Sequence, residues 1–411
     1  MAPRPETLDL VTTWLQHHGV SNSSISTTHG GGWLTVSRMP VSQANKLLNA
    51  SYQLYRHNVT NDTIIRTIRY SLPHALHTHV QTVVPTTTFV STSALQQTPL
   101  KRPVRAAAAW GNATLGEPGT TLSKRDFIVM PQNLRWLYKM TTYRLAAKDR
   151  NRIGIVGMIN QYPSETDLAL FLAAFRSDAK DPTLTIPIVP VNGGGFDPSH
   201  PGDEANTDLQ YTVALTFPTQ PTFYSTGGDI DWLPSGMPNS GDAYLGLLGY
   251  LLSLPDSDLP QTVSISYGTD ERILPQDYTF AVCGLFSILG GRGVSVLVSS
   301  GDSGVGIGNC KDSNGSFYFS PLFPASCAGG FHLSSQAPRS PHRRGFIGPF
   351  VTSVGATTGF NPEVAASISG GGFSNHFVRE QYQNGAMFRS FQRFGTRYHD
   401  FIKCVHCCTL T

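Results

Sequence analysis

The chain has no apolar run long enough to cross a bilayer: the longest, around Tyr244 to Leu254, covers about eleven of its 411 residues, against the roughly twenty that a membrane helix needs. That run reads as a buried helix, and no membrane partner is expected. Charge of one sign is also scarce. The formal net charge is +3, and no basic cluster is interleaved with aromatic residues, which argues against a nucleic-acid partner. The start, Met1-Ala-Pro-Arg-Pro5, lacks the basic end and apolar core of a signal peptide, so none is expected in the chain as given. Cysteine is sparse: Cys283, Cys310 and Cys327 lie in the body, and Cys404, Cys407 and Cys408 crowd the end. The terminal KCVHCC has no second pair of ligands, so it is no zinc signature and no metal ligand is assigned. A Cys310–Cys327 bridge would close a loop of under twenty residues. In the chain-entropy account such a loop is worth about 3 kcal/mol. What remains, 40% hydrophobic and 14% charged, is ordinary globular composition with length enough for two domains.

In chain order, ETLDLVTTWLQHHG from Glu6 places Leu8, Val11 and Leu15 on one helical face and ends in Gly19. GGWLTVSRM alternates as a strand, PVSQANKLLNASYQLYRH opens a helix at Pro40, and TIIRTIRYSLP is another strand, together a small α+β unit. Residues 84–123 are rich in Thr, Ser, Pro and Ala without periodicity and lead to Lys124-Arg125, a linker ending in a natural processing site. Beyond it, IGIVGMI, IPIVPV, VSISYG and VSVLVSS alternate with helical stretches, the pattern of a parallel α/β sheet with helices on both faces. Six Asn-X-Ser/Thr sequons, at Asn22, Asn49, Asn58, Asn61, Asn112 and Asn314, suit a secreted glycoprotein.

Three stretches carry chemistry. Val294 to Gly306, VSVLVSSGDSGVG, is an apolar strand ending in small turn formers, which places Ser300 to Ser303 at the carboxyl end of a sheet, where ligands bind. GDSG also surrounds the reactive serine of chymotrypsin-like proteases, which would make Ser303 a nucleophile; the alternating α/β pattern and the absence of their histidine motif disfavour this. The other reading makes Asp302 a protonated donor to an oxyanion, which demands acid pH. The second stretch, GDEANTDLQYTVAL, puts Glu204 and Asp208 four apart on one helix face, a spacing that two solvated carboxylates would also satisfy. The third, VSISYGTDE, leaves Ser264, Ser266 and Gly268 small, so that its edge is expected to pair with an extended peptide.

Taken together, E-x-x-x-D at Glu204 and Asp208, SxSYG at Ser264 to Gly268 and SGDSG at Ser300 to Gly304 resemble the sedolisin family of serine-carboxyl peptidases, above all its fungal tripeptidyl-peptidase-like members. FPASC, VTSVGATT and SGGGFS are similar to that family too, and GGWLTV, PVSQANKLL and ASYQLYRH resemble its pro-domain. The resemblance implies a subtilisin-like α/β fold preceded by an α+β pro-domain. It implies Glu204 as general base, Asp208 as its tuning partner, Asp302 as oxyanion donor, and Ser264, Ser266 and Gly268 as the substrate strand. It further implies calcium, unfolded protein or peptide as substrate, the chain's own pro-domain as a partner, a monomer, and secretion. A carboxylate base fits acid chemistry, because a histidine would already be charged there.

The chain also departs from that pattern. No S-G-T-S-A nucleophile block occurs in it, and the family's calcium ligands would lie beyond that block. FPASC and VTSVGATT are separated by residues 328–348, an expected insertion, and the resemblance fades after Tyr398. The expected domains are a pro-domain with linker over 1–124 and a catalytic domain, truncated before the nucleophile, over 125–411. The expected function is an acid-acting peptidase, inactive in this form. The alternative is a non-catalytic fragment that acts as a binder or inhibitor through its pro-domain.

Overall fold

The computed structural model describes residues 3–27, 32–56, 63–87, 89, 129–147, 150–179, 185–228, 242–306, 319–327, 350–359, 362–378, 381–386 and 388–389. The processing pair Lys124-Arg125, the insertion over 328–348, Cys310, the terminal cysteines and the sequons at Asn58, Asn61, Asn112 and Asn314 lie outside the described residues. Asn22 and Asn49 lie within them, and both are exposed.

The N-terminal unit opens with helix α1, Pro5–His17, whose proline starts the first turn and whose Val11 and Leu15 are buried. The chain leaves it through Gly19 at φ +80°, the left-handed conformation that glycine adopts without a Cβ penalty. Strands β1, Ile25–Thr27, and β2, Leu34–Val36, pair antiparallel, as do β3, Gln53–Arg56, and β4, Thr63–Arg66, with helix α2, Val41–Leu47, between the pairs. Val11, Leu15, Val20, Leu47, Leu48 and Leu76 form a separate small core. The unit is not independent of the rest, because Trp33 and Val84 pack against the main core.

The larger unit is built on six parallel strands in the order β12-β10-β8-β5-β7-β6. These are β5 Arg152–Gly157, β6 Ile188–Val191, β7 Gln220–Thr226, β8 Thr262–Ile265, β10 Ser295–Ser299 and β12 Thr352–Val354. Helix α3, Pro131–Leu137, precedes the sheet; α4, Glu165–Phe175, and α5, Asp203–Thr216, cover one face, and α6, Ala243–Ser253, and α7, Gln276–Gly291, cover the other. Successive strand residues point to opposite faces. Hence Ile155 and Phe223 join Leu168, Leu172, Leu209 and Val213 on the α4/α5 side, while Val156 and Tyr224 join Leu247, Leu251, Val282 and Phe286 on the α6/α7 side. The buried run at Tyr244 is α6, as expected. No described helix is long and apolar enough to cross a membrane.

The disulfide differs from the expected one. Cys327 is bonded to Cys283, on the buried face of α7, with Cα atoms 5.4 Å apart. Spacing in the sequence gives only the loop that a bridge would close in the unfolded chain. Cys283 and Cys327 are both buried in the main core, and that packing, invisible in the spacing, brings them together.

Candidate active site

Helix α5 carries Glu204 and Asp208 for reasons legible in its residues. Gly202, at the N-terminal boundary of the helix, lies against the Gln161 side chain, so the helix begins close to the loop that follows β5. Asp203 and Glu204 lie in the first turn, where the helix dipole favours carboxylates. Ala205, Leu209 and Val213 recur every fourth residue and are buried against the sheet. Glu204 and Asp208 each stand one residue before that stripe, at its margin, so both carboxyls lie between helix and sheet rather than in open solvent. Asn206 braces the turn: its Oδ1 accepts the Ser164 amide at 2.8 Å and its Nδ2 donates to Asp167 at 3.0 Å, joining α5 to the start of α4.

Strand β8 supplies the opposite wall. Val263 and Ile265 point into the α6/α7 core, so Ser264, and Ser266 just beyond the strand, face α5. Ser266 Oγ donates to Asp208 Oδ1 at 2.7 Å, while Asp208 Oδ2 is buried without a hydrogen-bond partner. The strand is not the free edge expected from its small residues. Through Ser264 it is bonded to β5 on one side and β10 on the other, and its main chain leaves the sheet only past Ile265. Gly268 is small because strands β9, Thr269–Asp270, and β11, Leu322–Phe323, pair beside it, and a Cβ would collide with Leu322.

The third carboxyl comes from the turn after β10. The Ser300 amide donates to the Val354 carbonyl at 2.9 Å, the Gly304 amide to Ile368 at 2.9 Å, and the Gly370 amide to Gly301 at 2.9 Å. Gly301 and Gly304, at φ +99° and +76°, take left-handed conformations. Gly370 has no Cβ because one would collide with the Ser300 carbonyl. Asp302 is thereby held between two pinned glycines, close enough for its charge to act on Glu204. Ser303 is exposed, and the geometry gives it no carboxylate or histidine partner among the described residues.

Burial raises the proton affinity of all three acids, and the charge of Asp302 adds to it at Glu204 and that of Glu204 at Asp208. Burial, then the charge of Glu204, pushes Asp208 up to about 8, against the Ser266 hydrogen bond, which lowers it. Glu204 is raised by burial and then by Asp302, and lowered by Ser266; Asp302 is raised by burial. Two neighbouring carboxyls of this kind share one proton, so across the acid range Asp208 holds a proton and Glu204 is the member that ionises first. Buried Tyr267, also raised by desolvation, senses the charge of both. Glu204, Asp208, Ser266 and Asp302 are thus brought together, whereas Ser264 lies within the sheet and Gly268 beyond the cluster. Asn206, Tyr267 and Gly370 were not singled out from the sequence. Each had a signal in the sequence: Tyr267 lies in SxSYG, Gly370 in SGGGFS, and Asn206 between the two acids of EANTD. Among the described residues no three His, Cys, Asp or Glu side chains come together as a metal site, so none of them is assigned to the calcium that the resemblance implies.

Residues 1–89 match the family model described as Pro-kumamolisin, activation domain. Over 396 residues the chain is 35% identical to tripeptidyl-peptidase SED2 of Arthroderma otae, covering 94% of this chain and 61% of the relative. It is 36% identical over 400 residues to a probable tripeptidyl-peptidase SED2 of Trichophyton verrucosum, at 94% and 61% coverage. It is 35% identical over 410 residues to a probable tripeptidyl-peptidase SED3 of Arthroderma benhamiae, at 97% and 62% coverage. The chain therefore spans about three fifths of the length of the curated relatives it matches. Among solved structures, Pseudomonas sedolisin (serine-carboxyl proteinase) complexed with two molecules of pseudo-iodotyrostatin is similar at 18% identity and a TM-score of 0.41, over 62% of this chain and 66% of that one.

Proposed function

Because the chain belongs to the sedolisin family of peptidases, we propose that its larger unit is the base and oxyanion half of an acid-acting serine peptidase that hydrolyses bonds of unfolded protein. The observation that carries this reading is the convergence of Glu204, Asp208 and Asp302, all with raised proton affinity, on one end of a parallel sheet. In this role ionised Glu204 takes the proton of a serine hydroxyl as its oxygen attacks the scissile carbonyl, then returns it to the leaving amine. Protonated Asp208 keeps the negative charge of the pair on Glu204. Asp302, still an acid, donates its hydrogen to the carbonyl oxygen as that becomes an oxyanion. Base and donor thus need opposite protonation states, and both are available together only in acid. Tripeptide release, named in the relatives, belongs to the same proposal, as do secretion, which the exposed Asn22 and Asn49 support, and an inhibitory role for residues 1–89.

The nucleophile is the open part of the constellation: no S-G-T-S-A block occurs in the 411 residues, and Ser303 has no carboxylate or histidine partner among the described residues. The second reading is a binder acting through its pro-domain, which the match of residues 1–89 to an activation domain favours. The test is a chimera joined after Tyr398 to the corresponding remainder of a fungal relative and assayed on denatured protein at pH 3 to 5. Activity is expected. Asp302→Ala should lower turnover by about two to three orders of magnitude, and Glu204→Gln by at least as much. A folded but inert chimera, or one indifferent to Glu204→Gln, would overturn the reading. If the 411-residue chain instead inhibited a related peptidase, the binder reading would stand.

A further inference from the structure

The Ser266 hydroxyl lies between the two carboxyls of the site. Ser266 faces α5 because Val263 and Ile265 fill the opposite side of β8. Its Oγ donates at 2.7 Å to Asp208 Oδ1, and Glu204 is also a hydrogen-bond partner of the same hydroxyl. A hydroxyl has one hydrogen to give and lone pairs to receive another. We propose that Ser266 is a positioning residue that bridges the two carboxyls, giving its one hydrogen to Asp208 Oδ1 while Glu204 is protonated and sharing it with Glu204 once Glu204 ionises, so that it fixes which oxygens carry the proton of the pair. This assignment rests on the acid-base reading of Glu204 and Asp208 and adds the group that sets their balance.

Two consequences follow from the geometry. Since Oδ1 is occupied by the Ser266 hydrogen, the proton that Asp208 retains lies on Oδ2, the oxygen that is buried and unpartnered among the described residues. Because Ser266 stabilises the ionised form of whichever carboxyl it donates to, it opposes the burial that pushes both up. The titratable groups facing it are Glu204 and Asp208 from α5. Tyr267, the next residue along, feels the charge of both, and Asp302 acts on Glu204 from the turn after β10.

The test is carboxyl titration in the full 411-residue chain, followed by carbon-13 NMR of labelled Asp and Glu side chains, with Ser266→Ala and Ser266→Thr. The alanine variant should raise the midpoints of both Glu204 and Asp208 by about one pH unit, the effect of losing a hydrogen bond to a charged group. The threonine variant, which keeps the hydroxyl, should titrate like the parent, and Asp302 should move less than either. An alanine variant that titrates like the parent overturns the bridge. So does a threonine variant that matches alanine, because packing would then be the cause. The readout needs no turnover, so it separates failure of the bridge from failure of the peptidase reading. In the active chimera, Ser266→Ala should shift the acidic limb of the pH profile upward and leave the alkaline limb in place.

Discussion

Replacing Asp208 by asparagine should change how the stability of this protein depends on pH, and by an amount the site allows to be worked out. In the unfolded chain the Asp208 carboxyl releases its proton near its ordinary value of 3.8, and in the folded protein only at about 8. Between those values the folded state binds the extra proton, so stability must fall as pH rises, with a slope of about 1.4 kcal/mol per pH unit for one proton. Over an interval of about four pH units the loss reaches an upper value of about 6 kcal/mol. Below pH 4 both states are protonated and the effect vanishes. Asparagine keeps the shape and the acceptor for Ser266 but has no proton to lose, so parent and variant should nearly coincide at pH 4 and diverge steadily to pH 8, with the variant the more stable. Glu204 and Asp302 are raised as well, so a shallower decline of the same sign should remain in the variant. Urea titrations followed by tryptophan fluorescence at pH 4, 5, 6, 7 and 8 would read the difference. Curves that run parallel, with the variant no flatter than the parent, would refute the claim that Asp208 keeps its proton through the acid range.

Gly370→Ala should cost about 2 kcal/mol or more, because its Cβ meets the Ser300 carbonyl, a backbone atom that can yield only by displacing the turn bearing Asp302; urea melts and faster hydrogen exchange at the Gly304 and Gly370 amides would show it. Replacing both Cys283 and Cys327 by serine should remove about 4 kcal/mol, the chain-entropy value for a separation of 44 residues, and peptide mapping of the oxidised protein should recover that pair and not one containing Cys310. Asn206→Ala should lower stability by about 1 to 2 kcal/mol, since the Ser164 amide and Asp167 both lose a partner; equal melting of variant and parent would show that the brace between α4 and α5 is idle.

The parallel sheet, the buried helix at Tyr244 and the amphipathic helix at the start were legible because each is a local periodicity: runs of β-branched residues, an apolar stretch of helical length, and a stripe ending in Gly19. The helix carrying Glu204 and Asp208 was legible too, but their burial was not, since spacing fixes which face two carboxyls share and not what lies against it. Strand β8 shows the limit most clearly. Its small residues suggested an edge open to a peptide, yet its neighbours β5 and β10 come from stretches roughly a hundred residues before and thirty after, and only their pairing shows that it is central. The Cys283–Cys327 bond and the contact of Gly370 with Ser300 escaped for the same reason, because each joins segments far apart in sequence with no local pattern to announce it.

The alternation along β8 also acts as a check on assembly. A slip of one residue against β5 would turn Ser264 and Ser266 into the α6/α7 core and press Val263 and Ile265 against the carboxyls of α5. Such a chain would bury hydroxyls among leucines and acids against isoleucine, and both errors penalise the same mistake. A one-residue slip of β8 therefore cannot leave the core filled while miswiring Asp208, so core packing and protonation chemistry select the same register.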